Sequence, residues 1–310
     1  MGVFRFKRFE VRNDLAAQKV GTDAVLLGAA MTLPIAPPHT TNVQQEHRDI
    51  SAAPGDLGAE PPQTTNVQHL LDIGTGTGVI ALMAAQRLAD LAAAGVPETV
   101  ASPQAAVSPE TAGTRAHFQI LAIDIDPAAI SEATANFASS PWSTFLKADE
   151  ISLNDLDKKP SLVEPAARFS AIFSNPPYFE DSLKAPDARR STARHTDTLS
   201  YRDICAFAAR HLTPGGTLSL VLPSAEEQPL IRYAASFGLK AFRILRIRTT
   251  ARKPFSRIIA EFRNAEGILR VAQNDSGAQN DSLCRFEELI LMDGTDRSSA
   301  YAALTKDFYL

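Results

Sequence analysis

The chain has 310 residues, 45% of them hydrophobic, and its 31 Lys and Arg against 35 Asp and Glu leave a formal net charge of −4. That is enough apolar material for the core of one large domain or two, and no run of 18 or more apolar residues is present to span a membrane. Two cysteines, Cys205 and Cys284, are too few for a disulfide framework, and six histidines form no His-x-x-x-His pair, so no metal site is expected.

The first residues, Met1-Gly-Val-Phe-Arg-Phe-Lys-Arg, hold no signal-like apolar stretch, and a cytosolic, cytoplasmic monomer is expected. Phe4–Val11 alternates aromatic and basic residues and predicts an opening strand or hairpin. Val20–Ala30 predicts a helix with Thr22 or Asp23 as its N-cap. Pro34–Gln63, with six prolines, has the composition of a disordered loop. Thr40-Thr-Asn-Val-Gln44 recurs at 64–68, and Ala272-Gln-Asn-Asp-Ser276 recurs at 278–282, both as short duplicated inserts. From residue 68 strands and helices alternate: 68–74, 79–94, 118–124, 127–138, 142–148, 168–174, 199–212, 217–222, 225–237, 239–249 and 256–263. That rhythm predicts an α/β domain, a doubly wound, mostly parallel sheet covered on both faces. The last strands follow without a long helix between them, which predicts an antiparallel edge strand. Ser298–Phe308 reads as a closing helix or turn.

The first strand of this series ends in Asp72-Ile-Gly74-Thr-Gly76-Thr-Gly78, and a helical run begins at Val79. Strand, glycine turn and helix is the context of a nucleotide-type site, where glycines admit a ligand to the backbone and the helix N-terminus supplies donors. A dinucleotide fold prefers G-x-G-x-x-G, and position 79 is Val. The G-x-G-x-G pattern resembles instead the first motif of class I S-adenosylmethionine methyltransferases. An acidic residue at the end of the next strand, Asp124, is placed to bind ribose hydroxyls, fifty residues after Gly74 rather than the usual twenty. The excess, Ala92–Ala116, reads as a surface insertion. Asp126 before Pro127 is either a ligand or an N-cap. Asp149 stands where an adenine amine would be met, or is a loop or capping residue.

After the apolar run Phe169–Ser174 comes Asn175-Pro176-Pro177-Tyr178. The Asn side-chain oxygen and a carbonyl of the rigid Pro-Pro segment can each accept a hydrogen of an NH2 group, and Tyr178 offers a face for a planar group to stack on. With a methyl donor close by, that geometry performs N-methylation. The plain alternative is a strand ending in a proline-rich turn.

Charge is uneven. Lys240–Arg270 holds nine basic residues against two acidic ones, a net +7, and includes Arg246, Arg248 and Arg252. Arg189, Arg190 and Arg194 follow the Asn-Pro-Pro-Tyr tetrad. Clustered cations bind phosphate whatever the global charge; a solvated strand face is the competing explanation.

Phe6-Lys-Arg-Phe-Glu10, Lys19-Val-Gly-Thr-Asp23, Leu26–Ala29, Asp72–Gly78, Asn136–Trp142, Ser174–Phe179 and Tyr301–Tyr309 together resemble the YfiC-like tRNA(Val) adenine-N6 methyltransferases, with Asp124 where members often carry Glu. The match spans a single methyltransferase domain, 1–310, with 34–67, 92–116 and 272–283 as surface insertions. The resemblance implies a seven-stranded Rossmann-like methyltransferase sheet, S-adenosyl-L-methionine as cofactor, tRNA as substrate, and N6-methylation of adenine 37 beside the anticodon. It implies catalysis by Asn175, Pro176 and Tyr178. Cofactor contacts would come from Lys19, Asp72, Gly74, Gly76, Gly78, Asp124 and Asp149, with Asp23 either beside them or capping its helix. Substrate contacts would come from Pro177, Phe179, Arg194, Arg246, Arg248 and Arg252. Protein glutamine-N5 methylation uses the same tetrad chemistry, and rRNA or DNA base methylation is a further alternative.

Overall fold

A computed structural model describes residues 2–16, 19–34, 67–94, 118–158, 168–177, 199–264 and 284–309. Almost all of the three insertions lie outside these residues, as do Tyr178, Phe179, Arg189, Arg190 and Arg194.

The chain opens with the expected hairpin, β1 (Val3–Arg5) antiparallel to β2 (Glu10–Arg12). Helix α1 (Thr22–Ala30) buries every residue from Ala24 to Ala30, as befits a helix apolar all round. Its N-cap is Gly21, with no side-chain cap, rather than Thr22 or Asp23; Asp23 is drawn instead to Arg257, 2.8 Å away. The alternating part follows as β3 (Gln68–Ile73), α2 (Val79–Ala94), β4 (Phe118–Asp124), α3 (Pro127–Ala138), β5 (Leu146–Glu150), α4 (Leu153–Lys158), β6 (Phe169–Ser174), α5 (Tyr201–His211), β7 (Leu212–Pro223), α6 (Glu227–Ser236), β8 (Leu239–Arg248), β9 (Arg257–Asn264) and β10 (Arg285–Ile290). A small ribbon, β11 (Met292–Asp293) with β12 (Asp296–Arg297), leads to α7 (Ser299–Thr305), capped by Ser298.

The main sheet has the order β10-β8-β9-β7-β6-β3-β4-β5. It is doubly wound and mostly parallel, as expected, but has eight strands rather than seven. The antiparallel strand is not at an edge: β9 runs between β7 and β8, antiparallel to both, and the edge strand β10 is parallel to β8. The segment β7–α6–β8 carries the chain past one strand width, and β9 folds back from β8 into that space. Order of this kind is set by pairing, which periodicity does not record.

Two further boundaries moved. Trp142 precedes β5 in a short 3-10 turn and is buried, its ring edge-on to Phe9 at 5.8 Å. Thr213–Gly216, left outside the expected strand 217–222, lies within the irregular start of β7, where Gly215 takes φ +79.

Each sheet face has its own core. Helices α1, α2 and α3 cover one, with Leu26, Leu82, Met83 and Phe137 packed on Leu70, Ala122 and Phe173. Helices α4, α5 and α6 cover the other, with Leu156, Phe207 and Leu230 on Leu71, Ile172 and Leu220. Helices α1 and α2 cross so closely at Gly28 that a Cβ there would stand 2.8 Å from Met83 Sδ. Beneath α1, the fully buried Glu261 accepts from Thr32 N, Thr32 Oγ1, Ser219 Oγ and Arg243, whose guanidinium also reaches Ala30 O and Glu287. A buried charge so fully hydrogen-bonded ties helix to sheet.

Both end segments that carried the resemblance meet in space. Lys7 N donates to Phe308 O and Lys7 Nζ to Lys306 O, while Phe6 stacks on Phe9 at 4.5 Å and near Tyr309 at 6.3 Å.

Candidate active site

The site forms where the parallel strands β3, β4, β5 and β6 release their carboxyl ends. At the end of β3 the chain turns through Gly74, Gly76 and Gly78 at φ +68, +55 and +80, a region glycine enters at little cost. The turn is folded back on β4, since Gly74 N and Thr75 N both donate to Ile123 O, and Gly78 N closes on Thr75 O. Gly78 is fixed twice over, because a Cβ there would fall 2.5 Å from Phe137 Cε1. Asn136 Nδ2, from α3, donates to Thr77 O at 2.8 Å and steadies the loop from the side.

Asp72 lies under the turn, fully buried, with one carboxylate oxygen accepting from Thr75 Oγ1 at 2.7 Å. Its other oxygen has no hydrogen-bond partner among the described residues. Burial pushes its carboxyl up to about 7, against the pull of the Thr75 hydroxyl and with the charge of Asp124 adding to the rise. The Ala81 amide of α2 also draws the carboxyl down.

Asp124 ends β4 with both oxygens engaged by backbone, accepting from Gly76 N and Asp126 N at 3.0 Å each. A carboxylate offers about four lone-pair sites, so two hydroxyls can still be received. Asp126 resolves as the N-cap of α3, accepting from Ala128 N with Pro127 in the first turn. Asp149 sits in β5 opposite Ile123 and pairs with Lys147 at 2.6 Å. Lys19 turns its amine to Asp14 O at 2.8 Å, in the segment before α1.

Asn175–Pro177 lie next to the glycine turn because β6 pairs with β3. The register matches Ser174 to Ile73, and Ser174 Oγ locks it by donating to Ile73 O at 2.7 Å. Asn175 and Gly74 are therefore the next residues on neighbouring strand ends. Asn175 and Pro176 are buried and Pro177 is exposed.

The basic segment is rearranged by pairing. Arg246 makes a two-point contact with Glu227, at 2.8 and 2.6 Å, and lies over Phe286. Arg248 reaches Glu288 and Ala251 O and lies over Phe255. Arg243 and Arg257 pair with Glu261, Glu287 and Asp23. All of these acidic partners but Glu261 come from outside Lys240–Arg270, so four carboxylates from elsewhere in the chain offset part of the +7. Arg252 and Lys253 stand exposed in the β8–β9 turn, on the carboxyl side of the sheet with the glycine loop.

Three residues at the site went unnoticed in the sequence. Ser174 is the only polar residue besides Ser170 in an apolar strand, a usable signal. Ile125 is 57% exposed immediately after Asp124, an apolar residue left facing solvent beside a ligand-type carboxylate. Leu199 approaches Gly74, its Cδ2 3.4 Å from where a Cβ would stand, and no sequence pattern marks it.

No protein-family model matches the chain. It is 31% identical over 307 residues to the tRNA1(Val) (adenine(37)-N6)-methyltransferase of Photobacterium profundum, covering 99% of this chain and 98% of that one. It is 36% identical over 267 residues to the protein of the same name from Porphyromonas gingivalis, covering 85% and 82%. Among solved structures it is similar to a predicted O-methyltransferase from Agrobacterium tumefaciens, with a TM-score of 0.50, 13% identity, and coverage of 92% and 96%. At that identity the likeness concerns the fold.

Proposed function

This chain belongs to the tRNA1(Val) (adenine(37)-N6)-methyltransferase family, and from that membership we propose that it uses S-adenosyl-L-methionine to methylate N6 of an adenine in tRNA, at position 37 of a valine tRNA. The observation that carries the proposal is the β3–β6 register, which sets Asn175 beside Gly74 and so sets an amine-binding loop against a cofactor-type turn.

The residues present fit the cofactor. Asp124 has lone pairs left for ribose hydroxyls, and the glycine turn, with Gly74, Gly76 and Gly78 at positive φ, lets a ligand approach the backbone. Asp149, next to the end of β4, is placed for the base. When bound, S-adenosyl-L-methionine supplies a methyl group already activated on a sulfonium.

The protein's task is then positioning and exclusion of water. Asn175 Oδ1 and the Pro176 carbonyl accept the two N6 hydrogens, which shifts density from the purine ring back onto the nitrogen. The surplus N6 proton is then lost to water, so no strong general base is needed. Tyr178 and Phe179, next in the sequence, hold the base by stacking, and Pro177 keeps the loop rigid. The base must leave its stack to reach this loop, which costs least in a single-stranded anticodon loop. Arg194 and the exposed cations of the β8–β9 turn take the phosphates.

The test is nucleoside mass spectrometry of tRNA from a deletion strain, with purified protein added back. Loss of N6-methyladenosine at position 37 of a valine tRNA, and its restoration in vitro, is the expected result. Unchanged tRNA together with loss of a methylated glutamine from a release factor would overturn the proposal in favour of glutamine-N5 methylation.

A further inference from the structure

Helix α3 carries a fully engaged carboxylate that the chemistry above does not use. Glu132 is 2% exposed. One of its oxygens accepts from Asp14 N at 2.6 Å and Leu15 N at 3.0 Å, and the other from Ala16 N at 2.8 Å. Three successive amides converging on one anion fix the backbone of that segment as a nest. One turn further along α3, the buried Asn136 accepts from Arg12 N at 2.8 Å and donates to Arg12 O at 3.1 Å, and the same amide nitrogen donates to Thr77 O in the glycine loop. Beyond the nest, Asn13 Oδ1 accepts from Val20 N and Lys19 Nζ donates to Asp14 O. The chain then enters α1, held at its start by Asp23 and Arg257.

Glu132 and Asn136 therefore hold residues 12–16 on α3, and residues 19–21 lead into α1, where Asp23 pairs with Arg257. Helix α2 packs against α1, and α3 contacts the loop that opens α2. A loop exposed to water would hydrate its own amides; here a buried charge orders them instead, and the adjoining Arg12 is tied through Asn136 to Thr77 of the glycine loop.

We infer that Glu132 is a positioning residue for the cofactor: its carboxylate fixes residues 14–16, which hold the neighbouring Arg12 and Asn136 against the glycine loop, and S-adenosyl-L-methionine binds to the loop so braced. The inference rests on the cofactor proposed above. The test is calorimetric binding of S-adenosyl-L-methionine and S-adenosylhomocysteine to wild type, to Glu132→Gln and to Asp157→Asn. The last loosens Arg210 and His211 on the opposite sheet face and controls for lost stability alone. Glu132→Gln is expected to raise the Kd at least about tenfold, the worth of one charge-assisted hydrogen bond, with Asp157→Asn within about twofold of wild type. Hydrogen exchange on the wild type gives a second measurement that needs no variant: protection of amides 14–16 is expected to rise when S-adenosylhomocysteine is added. An unaltered Kd in Glu132→Gln, or amides 14–16 indifferent to saturating ligand, overturns the inference alone. A wild type that binds neither compound overturns the proposed function and this inference together.

Discussion

Asp124 is joined to the glycine turn through Gly76, whose amide it accepts at 3.0 Å, while its other oxygen accepts from Asp126 N. The carboxylate is thus aimed before any ligand arrives, and the same two bonds order the turn and the start of α3.

Asp124→Ala is expected to weaken S-adenosyl-L-methionine binding by about 1–3 kcal/mol, through lost charge-assisted contacts to the ribose and a looser turn. Isothermal calorimetry reads it. Tight NAD binding by the wild type, with no S-adenosyl-L-methionine binding, would remove the cofactor assignment.

Asn175→Ala is expected to leave cofactor affinity nearly intact and to slow methyl transfer by roughly 10²–10³, since its acceptor matters most as charge develops on N6. A single-turnover assay separates this from binding. Near-normal single-turnover rates would take Asn175 out of the chemical step.

Asp72 makes the stability of the ligand-free protein fall with rising pH. Its folded value, about 7, stands above the ordinary 3.8, so between these values the unfolded chain has released a proton that the folded one keeps. The penalty is absent below about pH 4, grows through the interval and levels off above about pH 7, reaching at most about 4 kcal/mol. The Tm advantage of Asp72→Asn over wild type is expected to grow along that course. An advantage independent of pH would mean that Asp72 is not the group that titrates.

Arg246 and Arg252 are expected to behave differently although the sequence groups them. Arg246→Ala leaves Glu227, whose carboxyl the Arg246 hydrogen bonds hold below its usual range, without its partner, and should cost about 1–3 kcal/mol of stability in urea. Arg252→Glu with Lys253→Glu should leave urea unfolding within about 0.5 kcal/mol of wild type. It should weaken tRNA binding and reduce the log–log salt slope by about one for each lost phosphate contact. An unchanged slope would place the tRNA elsewhere on the protein.

What could be read in advance was local. The glycine turn, the strand that feeds it and the Asp126-Pro127 cap announce themselves within a few residues, because tight turns and caps are made by neighbours in sequence. The Asn175 loop was legible for the same reason, and so were α2 and α3, whose ends matched. The fate of Arg246 was not legible, since Glu227 lies nineteen residues away and reaches it only when α6 packs beside β8. The nest at Glu132 was equally hidden: a helical Glu is ordinarily solvated, and its three amide partners come from a segment more than a hundred residues earlier. Strand order failed likewise, because β9 alternates no differently for standing inside the sheet than it would at an edge.

The interior place of β9 fixes an order of assembly. Strand β8 reaches β7 and the strands beyond it only through β9, which follows it in the chain. Until β9 has formed, β7 presents the open hydrogen-bonding edge of Leu218–Pro223, a run of apolar residues ready to pair with another chain. A product ending before Arg257 would have this edge permanently bare, and β8 would be left with no strand to dock on. Chains that end before Arg257 should therefore stick to one another more than chains that include β9.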